Sequence, residues 1–383
     1  MLILVDGSYY VFRAFFALRG MSNSKGLPTN GLYAFTNMLL NVVRDDKPTH
    51  LAVAFDPPGP TFRSDMFPDY KAHRDETPED LVPQFPYFRQ LVTALGIQSL
   101  ELSGFEADDV IATLAAMAGD EPCTILTGDK DLYQLVTPTT TLLDSMRGKR
   151  VGLDEVRERF AVEPLLVPDV LGLSGDTSDN IPGVPGIGEK TGGKLVAEFG
   201  SLEGVLASIA KVSGDKRREM LAAHADMARL SRELATVRRD VPLHVSLEDL
   251  RVRVPDFSAF DALCAELEFR RFPTTAREAF RWAATGDAAA SIAPASESFE
   301  PPTARTVADI AELRALVAKH ADTKRVALDL VVDGDHPLDT RVVGVAVAWD
   351  AKTGHYIPVA HADMLAPQLD LAQVLDALRP MLQ

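Results

Sequence analysis

The fold turns on two neighbouring stretches, Gly104-Phe105-Glu106-Ala107-Asp108-Asp109-Val110-Ile111-Ala112 and Ile125-Leu126-Thr127-Gly128-Asp129-Lys130-Asp131. The first reads as the opening of a helix and the second as the end of a strand. Glu106 and Asp109 are three residues apart and share one helical face, with Asp108 on the same rim. Like charges gathered this closely repel one another. A hard cation such as Mg²⁺, which takes carboxylate oxygens, water and phosphate, would reverse that sign. A second reading competes at this point. Ser103-x-x-Glu106 fits a capping box, and acids at a helix N-terminus suit the macrodipole.

Working outward, Leu2–Asp6, Leu51–Asp56 and Thr124–Asp129 are short apolar runs that each end in an acid. Helical stretches separate them, which predicts an α/β fold with a parallel sheet. In such sheets the site lies outside the carboxyl ends of the strands. One strand-terminal Asp is usually a turn residue. Asp6, Asp56 and Asp129 together, beside Glu106, Asp108 and Asp109, point to one metal-binding place. Between the strands, Pro57–Asp80 is polar and carries Arg63, Tyr70, Lys71, His73 and Arg74. On a helix Lys71 and Arg74 would share a face. A long segment rising over a site is more often functional than idle, the alternative being a solvated basic loop.

Further on, Asp176 and Asp179 form another acidic pair, followed by Gly183-Val-Pro-Gly186-Ile-Gly188 before a helix bearing Lys190 and Lys194. Exposed backbone N–H groups at such a turn can hold a phosphate. The run nearly spells a P-loop, but Glu189 breaks it and no strand leads into it. It reads instead as a helix-hairpin-helix type clamp on a DNA backbone. Residues 200–280 look helical and charged, and the pairs Arg217/Arg218 and Arg238/Arg239 read as solvated. Residues 281–306, rich in Ala, Ser, Pro and Thr, read as a flexible linker. Beyond them the pattern predicts a helix over Val307–His320, strands over Val326–Val332, Arg341–Trp349 and Tyr356–Val359, and a helix over Leu371–Leu382.

The totals set loose bounds. A chain of 383 residues suggests two or three domains. Cys123 and Cys264 are far apart and lack CxxC spacing, which argues against a disulfide scaffold or zinc site and fits a reducing compartment. The start is too short and too soon charged for a signal peptide, and no apolar run has membrane-spanning length. A net charge of −16 taken alone speaks against a nucleic-acid partner. Acids reserved for cations contribute to that charge and basic residues can be local, so the total does not decide.

The series Asp6, Asp56, Glu106-x-Asp108-Asp109, Asp129-x-Asp131 and Asp176-x-x-Asp179, with the glycine turn, resembles the 5′-nuclease (flap endonuclease) superfamily. It is most similar to the bacterial 5′→3′ exonuclease domains joined to DNA polymerases, over residues 1 to about 280. The resemblance implies a PIN-like catalytic domain over 1–165 with a helical arch, then a helix-hairpin-helix DNA-binding part over 166–280. It implies two Mg²⁺ ions, with Mn²⁺ as a substitute. Asp6, Asp56, Glu106, Asp108 and Asp129 would surround the first, with Asp109 close by, and Asp131, Asp176 and Asp179 the second. Many of these acids would act through water. Lys71 and Arg74 would stabilise the transition state, and Tyr70 would stack on an unpaired terminal base. Arg13 and Arg63 would contact phosphates. Gly183, Gly186, Gly188, Lys190 and Lys194 would grip the duplex, with a K⁺ held by the turn's carbonyls. Gly192-Gly193 stands where small alanines are commoner in the family, which would soften the clamp helix.

The implied partner is DNA with 5′ flaps, nicks or RNA primers, acted on by a monomer in the bacterial cytoplasm, at the nucleoid and away from membranes. Residues 307–383 resemble the opening of a ribonuclease-H-like 3′→5′ proofreading domain. Asp329 is kept there, but Val331 stands where that domain's first motif has Glu, and Asp333 does not replace it. The tail therefore reads as inactive and cut short. Two other classes stay open: a non-catalytic DNA-binding module of a polymerase or repair assembly, and a PIN-like RNA nuclease.

Overall fold

The computed structural model describes residues 1–284 apart from 19, 75 and 146, and residues 303–382 apart from 322, 324, 325, 334–340, 351 and 362–366. The chain divides into two compact units, Met1–Pro294 and Ala295–Gln383. Most of the expected linker lies outside the described residues. Its end does not behave as a linker, because Thr303–Thr306 is a strand in the second unit's sheet.

The first unit is built on six strands, β1 (Leu2–Asp6), β2 (His50–Ala54), β3 (Gln98–Leu100), β4 (Cys123–Leu126), β5 (Thr140–Asp144) and β6 (Lys149–Val151), in the order β3-β2-β1-β4-β5-β6. All pairings are parallel except β5–β6. The central strand β1 is an unbroken apolar run because both its faces are covered. Ile3 and Val5 pack under the helices Gly7–Ala17, Asn30–Asp46, Phe85–Ala94 and Phe257–Leu267. Leu2 and Leu4 face the helices Ala107–Ala118, Val167–Ser174 and Glu189–Phe199. At roughly 1.5–3 kcal/mol for each fully buried large apolar side chain, these two layers fix the sheet's position. Cys123 and Cys264 are both buried and free, one in each layer.

Glycine lets two helices of the second layer approach closely. A Cβ on Gly193 would sit 2.1 Å from the Phe160 carbonyl oxygen. Gly193 therefore permits contact between Glu189–Phe199 and the end of the helix Leu153–Phe160. Gly193 thus has a packing role beside its expected effect on the helix.

In the second unit β7 (Thr303–Thr306), β8 (Ala327–Asp333), β9 (Arg341–Ala348) and β10 (Thr353–Pro358) form a mixed sheet in the order β7-β10-β9-β8. The helices Ile310–Lys319 and Leu371–Leu382 close a small core around Val317, Val345, Trp349 and Leu378. Asp329 and Val331 lie on the edge strand β8, whose residues are all exposed. Among the described residues, no helix is long and apolar enough to cross a membrane.

Candidate active site

Asp6 ends β1 and also caps the next helix, with Oδ1 accepting from the Tyr9 N–H at 2.9 Å and Oδ2 from the Thr127 hydroxyl at 2.8 Å. Asp56 follows β2; its own N–H donates to Ser8 Oγ, and its Oδ1 accepts the Ala107 N–H at 2.8 Å. Asp129 follows β4, and its N–H donates to Thr127 Oγ1 at 3.0 Å. One hydroxyl thus ties two strand ends together. Asp108 projects from the first turn of Ala107–Ala118 and has no hydrogen-bond partner among the described residues.

These four acids lie within one another's electrostatic field. Burial pushes the Asp6 carboxyl up to about 7, with the charges of Asp129 and Asp56 adding to it against the pull of its two hydrogen bonds. Asp108 is held well above the usual carboxylate range by burial, then by Asp129 and Asp6. Asp129 is raised by burial and Asp179, against the Asp131 N–H, Lys130 and Lys71. A carboxylate cluster that resists ionisation when empty fits a divalent cation, which would relieve both desolvation and repulsion. The donors are all oxygen, which suits Mg²⁺. Among the described residues, no group of three acids is arranged to hold an ion directly. The fit is to an ion that keeps much of its water.

A second group comprises Asp131, Asp176 and Asp179. Asp131 opens the 3₁₀ turn Asp131–Leu135 and donates its N–H to Asp129 Oδ1 at 2.9 Å. Asp176 and Ile181 exchange backbone hydrogen bonds, which closes the loop that presents Asp179. The loop is held by backbone contact, since a Cβ on Gly183 would lie 2.2 Å from the Gly175 nitrogen. Asp131 is raised well above its usual range by burial and by Asp129, despite Lys130. Burial also acts to raise Asp176, but Lys130 and Ser178 outweigh it and leave Asp176 low.

Several expectations need correction. The capping box exists, but three residues along: Glu106 is the N-cap, and Asp109 accepts its N–H at 3.1 Å. Asp109 is fully buried, and its oxygens also take both Arg63 terminal nitrogens, at 2.7 and 2.8 Å, and the Arg238 N–H, at 2.8 Å. With its lone pairs used in this way, it is a structural anion and not a metal ligand. Arg63 is only 2% exposed and further donates to the carbonyls of Leu234 and Thr236. It cannot reach a DNA phosphate.

The segment over the site contains a five-residue helix, Phe62–Met66, but Lys71 and Arg74 do not share a helix. Lys71 lies in a turn with φ 59°, and its N–H donates to the Asp179 carbonyl at 2.9 Å. Its ammonium is 2.9 Å from Glu106 Oε2, while Arg74 is 2.8 Å from Asp179 Oδ1. Tyr70 is buried and donates its hydroxyl between Glu106 (3.0 Å) and Asp179 (3.1 Å). Its ring is packed in the core and is not presented for stacking on a base. The segment is thus pinned to the acids it overlies.

Elsewhere, Gly186, Gly188, Lys190 and Lys194 are exposed, whereas Gly183 is buried and its N–H is bound to Ser231 Oγ at 3.0 Å. Gly183 therefore shapes the turn and offers no free donor. Arg13 is half-buried, with its guanidinium 5.8 Å from the Tyr9 ring centre and its Nε lacking a partner. The paired arginines are engaged locally, Arg218 with Asp215 and Arg238 with Asp240. Sequence reasoning missed Lys130, which binds Asp131 and Asp176, and Thr127, which links the strand ends. The only signal for Lys130 was its place between Asp129 and Asp131.

A parallel sheet with acids gathered at its carboxyl ends and a glycine turn beside them is the 5′-nuclease fold. Solved structures agree: bacteriophage T5 5′-exonuclease with bound zinc has a TM-score of 0.53 at 20% identity, covering 76% of this chain and 96% of that chain. A bacteriophage T5 flap endonuclease complex with DNA and metal ions has a TM-score of 0.53 at 21% identity, covering 73% and 98%. Residues 1–161 match the family model of the 5′-3′ exonuclease N-terminal resolvase-like domain and residues 162–258 that of the 5′-3′ exonuclease C-terminal SAM fold, and the chain belongs to this 5′-3′ exonuclease family, of the DNA polymerase I type. DNA polymerase I of Bacillus caldotenax is 40% identical over 352 residues, covering 90% of this chain and 38% of that protein. DNA polymerase I of Pseudomonas aeruginosa is 40% identical over 393 residues, covering 100% and 42%. The chain spans about two fifths of the length of these relatives.

Proposed function

We propose that this chain is a structure-specific 5′→3′ exonuclease and 5′-flap endonuclease of DNA polymerase I type, hydrolysing phosphodiester bonds in primer removal and DNA repair. The observation that supports it most is the convergence of Asp6, Asp56 and Asp129 at the carboxyl ends of adjacent parallel strands beside Asp108, with the Asp6, Asp108 and Asp129 carboxyls raised by burial and by neighbouring charges. Two Mg²⁺ ions, with Mn²⁺ as a substitute, would supply a nucleophile at neutral pH and neutralise charge on the transferring phosphate. Asp6, Asp56, Glu106, Asp108 and Asp129 would hold the first, largely through water, and Asp131, Asp176 and Asp179 the second.

On this reading Lys71 and Arg74 exchange Glu106 and Asp179 for the scissile phosphate. Their charges then act where negative charge develops. Lys71 is well suited to the exchange: burial disfavours its charge, yet Glu106 and Asp179 hold it above its ordinary range, so it stays protonated. Gly186, Gly188, Lys190 and Lys194 present an exposed backbone and two ammonium groups to a duplex, with a K⁺ on the turn's carbonyls. Such contacts read no sequence, so the substrate is recognised by its flap, nick or RNA primer. The enzyme works as a monomer in the cytoplasm, at the nucleoid. Residues 1–165 and 166–280 are the two parts of the nuclease, and 307–383 the start of a ribonuclease-H-like module left without its second acid at Val331.

A 5′-flap duplex should be cut with Mg²⁺ and left whole with EDTA, and single-stranded RNA of equal length should be cut far more slowly. Full activity in an Asp129→Ala, Asp131→Ala double variant would sink the proposal.

A further inference from the structure

The two halves of the acid cluster differ in how their charge is met. Among the described residues, none of Asp6, Asp56, Asp108 or Asp129 forms an ion pair. In the other half Asp131 and Asp176 have one cation, and it is the same one. The Lys130 ammonium lies 3.3 Å from Asp131 Oδ1 and bonds Asp176 Oδ2. Asp131 and Asp176 are 8% and 6% exposed, and Lys130 itself is largely shielded from solvent. A lysine here does the work of the missing positive charge at short range, with little water to screen it. Both ion pairs of Lys130 are to carboxylates of this group.

We infer that Lys130 is a built-in counter-cation of the second acid group, a positioning residue that makes the two halves bind divalent ions unequally. The inference rests on the two-ion reading above. In the first half four of the five carboxylates meet their ion without a paired cation, Glu106 being the one held by Lys71 and Arg63. The second half takes one only when Lys130 gives up Asp131 and Asp176, and a DNA phosphate arriving beside it is a suitable new partner for the ammonium. Lys130 thereby ties the filling of the second half to substrate.

The test is Mn²⁺ binding to the full chain without DNA, counted by electron paramagnetic resonance. The wild type should show one tighter and one weaker class of ion. An ammonium and a divalent ion a few ångströms apart repel enough, even at water-like screening, to change affinity about tenfold. Lys130→Met should therefore tighten the weaker class about tenfold and leave the tighter class unmoved, while Lys130→Arg should keep the wild-type pattern. Lys130→Gln, which retains a hydrogen-bond donor for Asp176, gives the same comparison should the Met variant fail to fold. A weaker class that is unmoved or weakened in Lys130→Met and Lys130→Gln, or an Arg variant that behaves as they do, overturns the role of Lys130. Failure of the wild type to bind Mn²⁺ at all overturns the two-ion reading itself, and this inference with it.

Discussion

Replacing Asp6 by Asn should make the metal-free protein more stable while abolishing its activity. Asp6 is 4% exposed, and its carboxyl is raised from 3.8 to about 7. For an acid, a folded value above the unfolded one means that the ionised form is the one the fold disfavours. The stability is fully present below about pH 4 and is lost as pH rises through about 7. At about 1.4 kcal/mol per unit, the penalty at pH 8 is about 4 kcal/mol. Asn removes it and keeps the local geometry. Its carbonyl can still accept the Tyr9 N–H, where Asn caps as well as Asp, and its amide can donate to Thr127 Oγ1. Exchanging a charged acceptor for a neutral group gives back about 1 kcal/mol, so the net gain is about 2–4 kcal/mol. That corresponds to a rise in Tm of about 3–7 °C for a unit of this size. Calorimetry of the full chain in EDTA from pH 5 to pH 8.5 measures it, and the gap should widen up to about pH 7 and then hold. Excess Mg²⁺ should raise the wild type's Tm more than the variant's, because the ion takes over the compensation. A variant no more stable than wild type at pH 8, or a gap that does not widen between pH 5 and pH 8, would refute the reasoning.

Arg63→Met leaves Asp109 buried without its bidentate partner and should cost about 3–5 kcal/mol in chemical denaturation; adding Asp109→Asn should recover part of that loss, as coupled sites do. Gly193→Ala drives a Cβ against the Phe160 carbonyl and should cost about 1–3 kcal/mol, with no change in the Mg²⁺ dependence of flap cleavage. Lys190→Ala and Lys194→Ala should each lower the slope of log K against log salt for duplex binding by about 1, equally for unrelated sequences; an unchanged slope would move the DNA-binding face elsewhere.

The strands were legible because β1, β2 and β4 are covered on both faces, so burial writes itself into sequence as unbroken apolar runs. The acids were legible because a parallel sheet delivers its strand ends to one edge, and Asp6, Asp56 and Asp129 follow that rule. The segment between β2 and β3 was not, for physical reasons that differ by residue. Arg63 sits in a polar run, where a buried guanidinium and a solvated one look alike; only its pairing with Asp109 and two carbonyls distinguishes them. Lys71 and Arg74 have helical spacing, but Lys71 adopts positive φ because its N–H is committed to the Asp179 carbonyl more than a hundred residues away. A long-range contact of that kind overrides local periodicity.

The same contacts explain how so many acids coexist in a metal-free fold. Glu106, Asp109 and Asp179 are held by Arg63, Lys71, Arg74 and the Tyr70 hydroxyl, and Asp131 and Asp176 by Lys130. Among the described residues Asp6, Asp56 and Asp108 form no ion pair; helix N-termini and a hydroxyl relieve the first two and the more distant charge of Lys71 the third, so the fold's electrostatic cost is concentrated on them. Repulsion spread evenly over the cluster would raise affinity for a cation everywhere alike. Concentrated in this way, it ranks the carboxylates: a divalent ion gains most where the fold has left charge unmet, and substrate must displace the resident cations elsewhere. On the proposed function, Lys71 and Arg74, which sequence reasoning assigned to the reacting phosphate alone, thus have a second partner in the protein, and exchange between the two would couple substrate arrival to completion of the site.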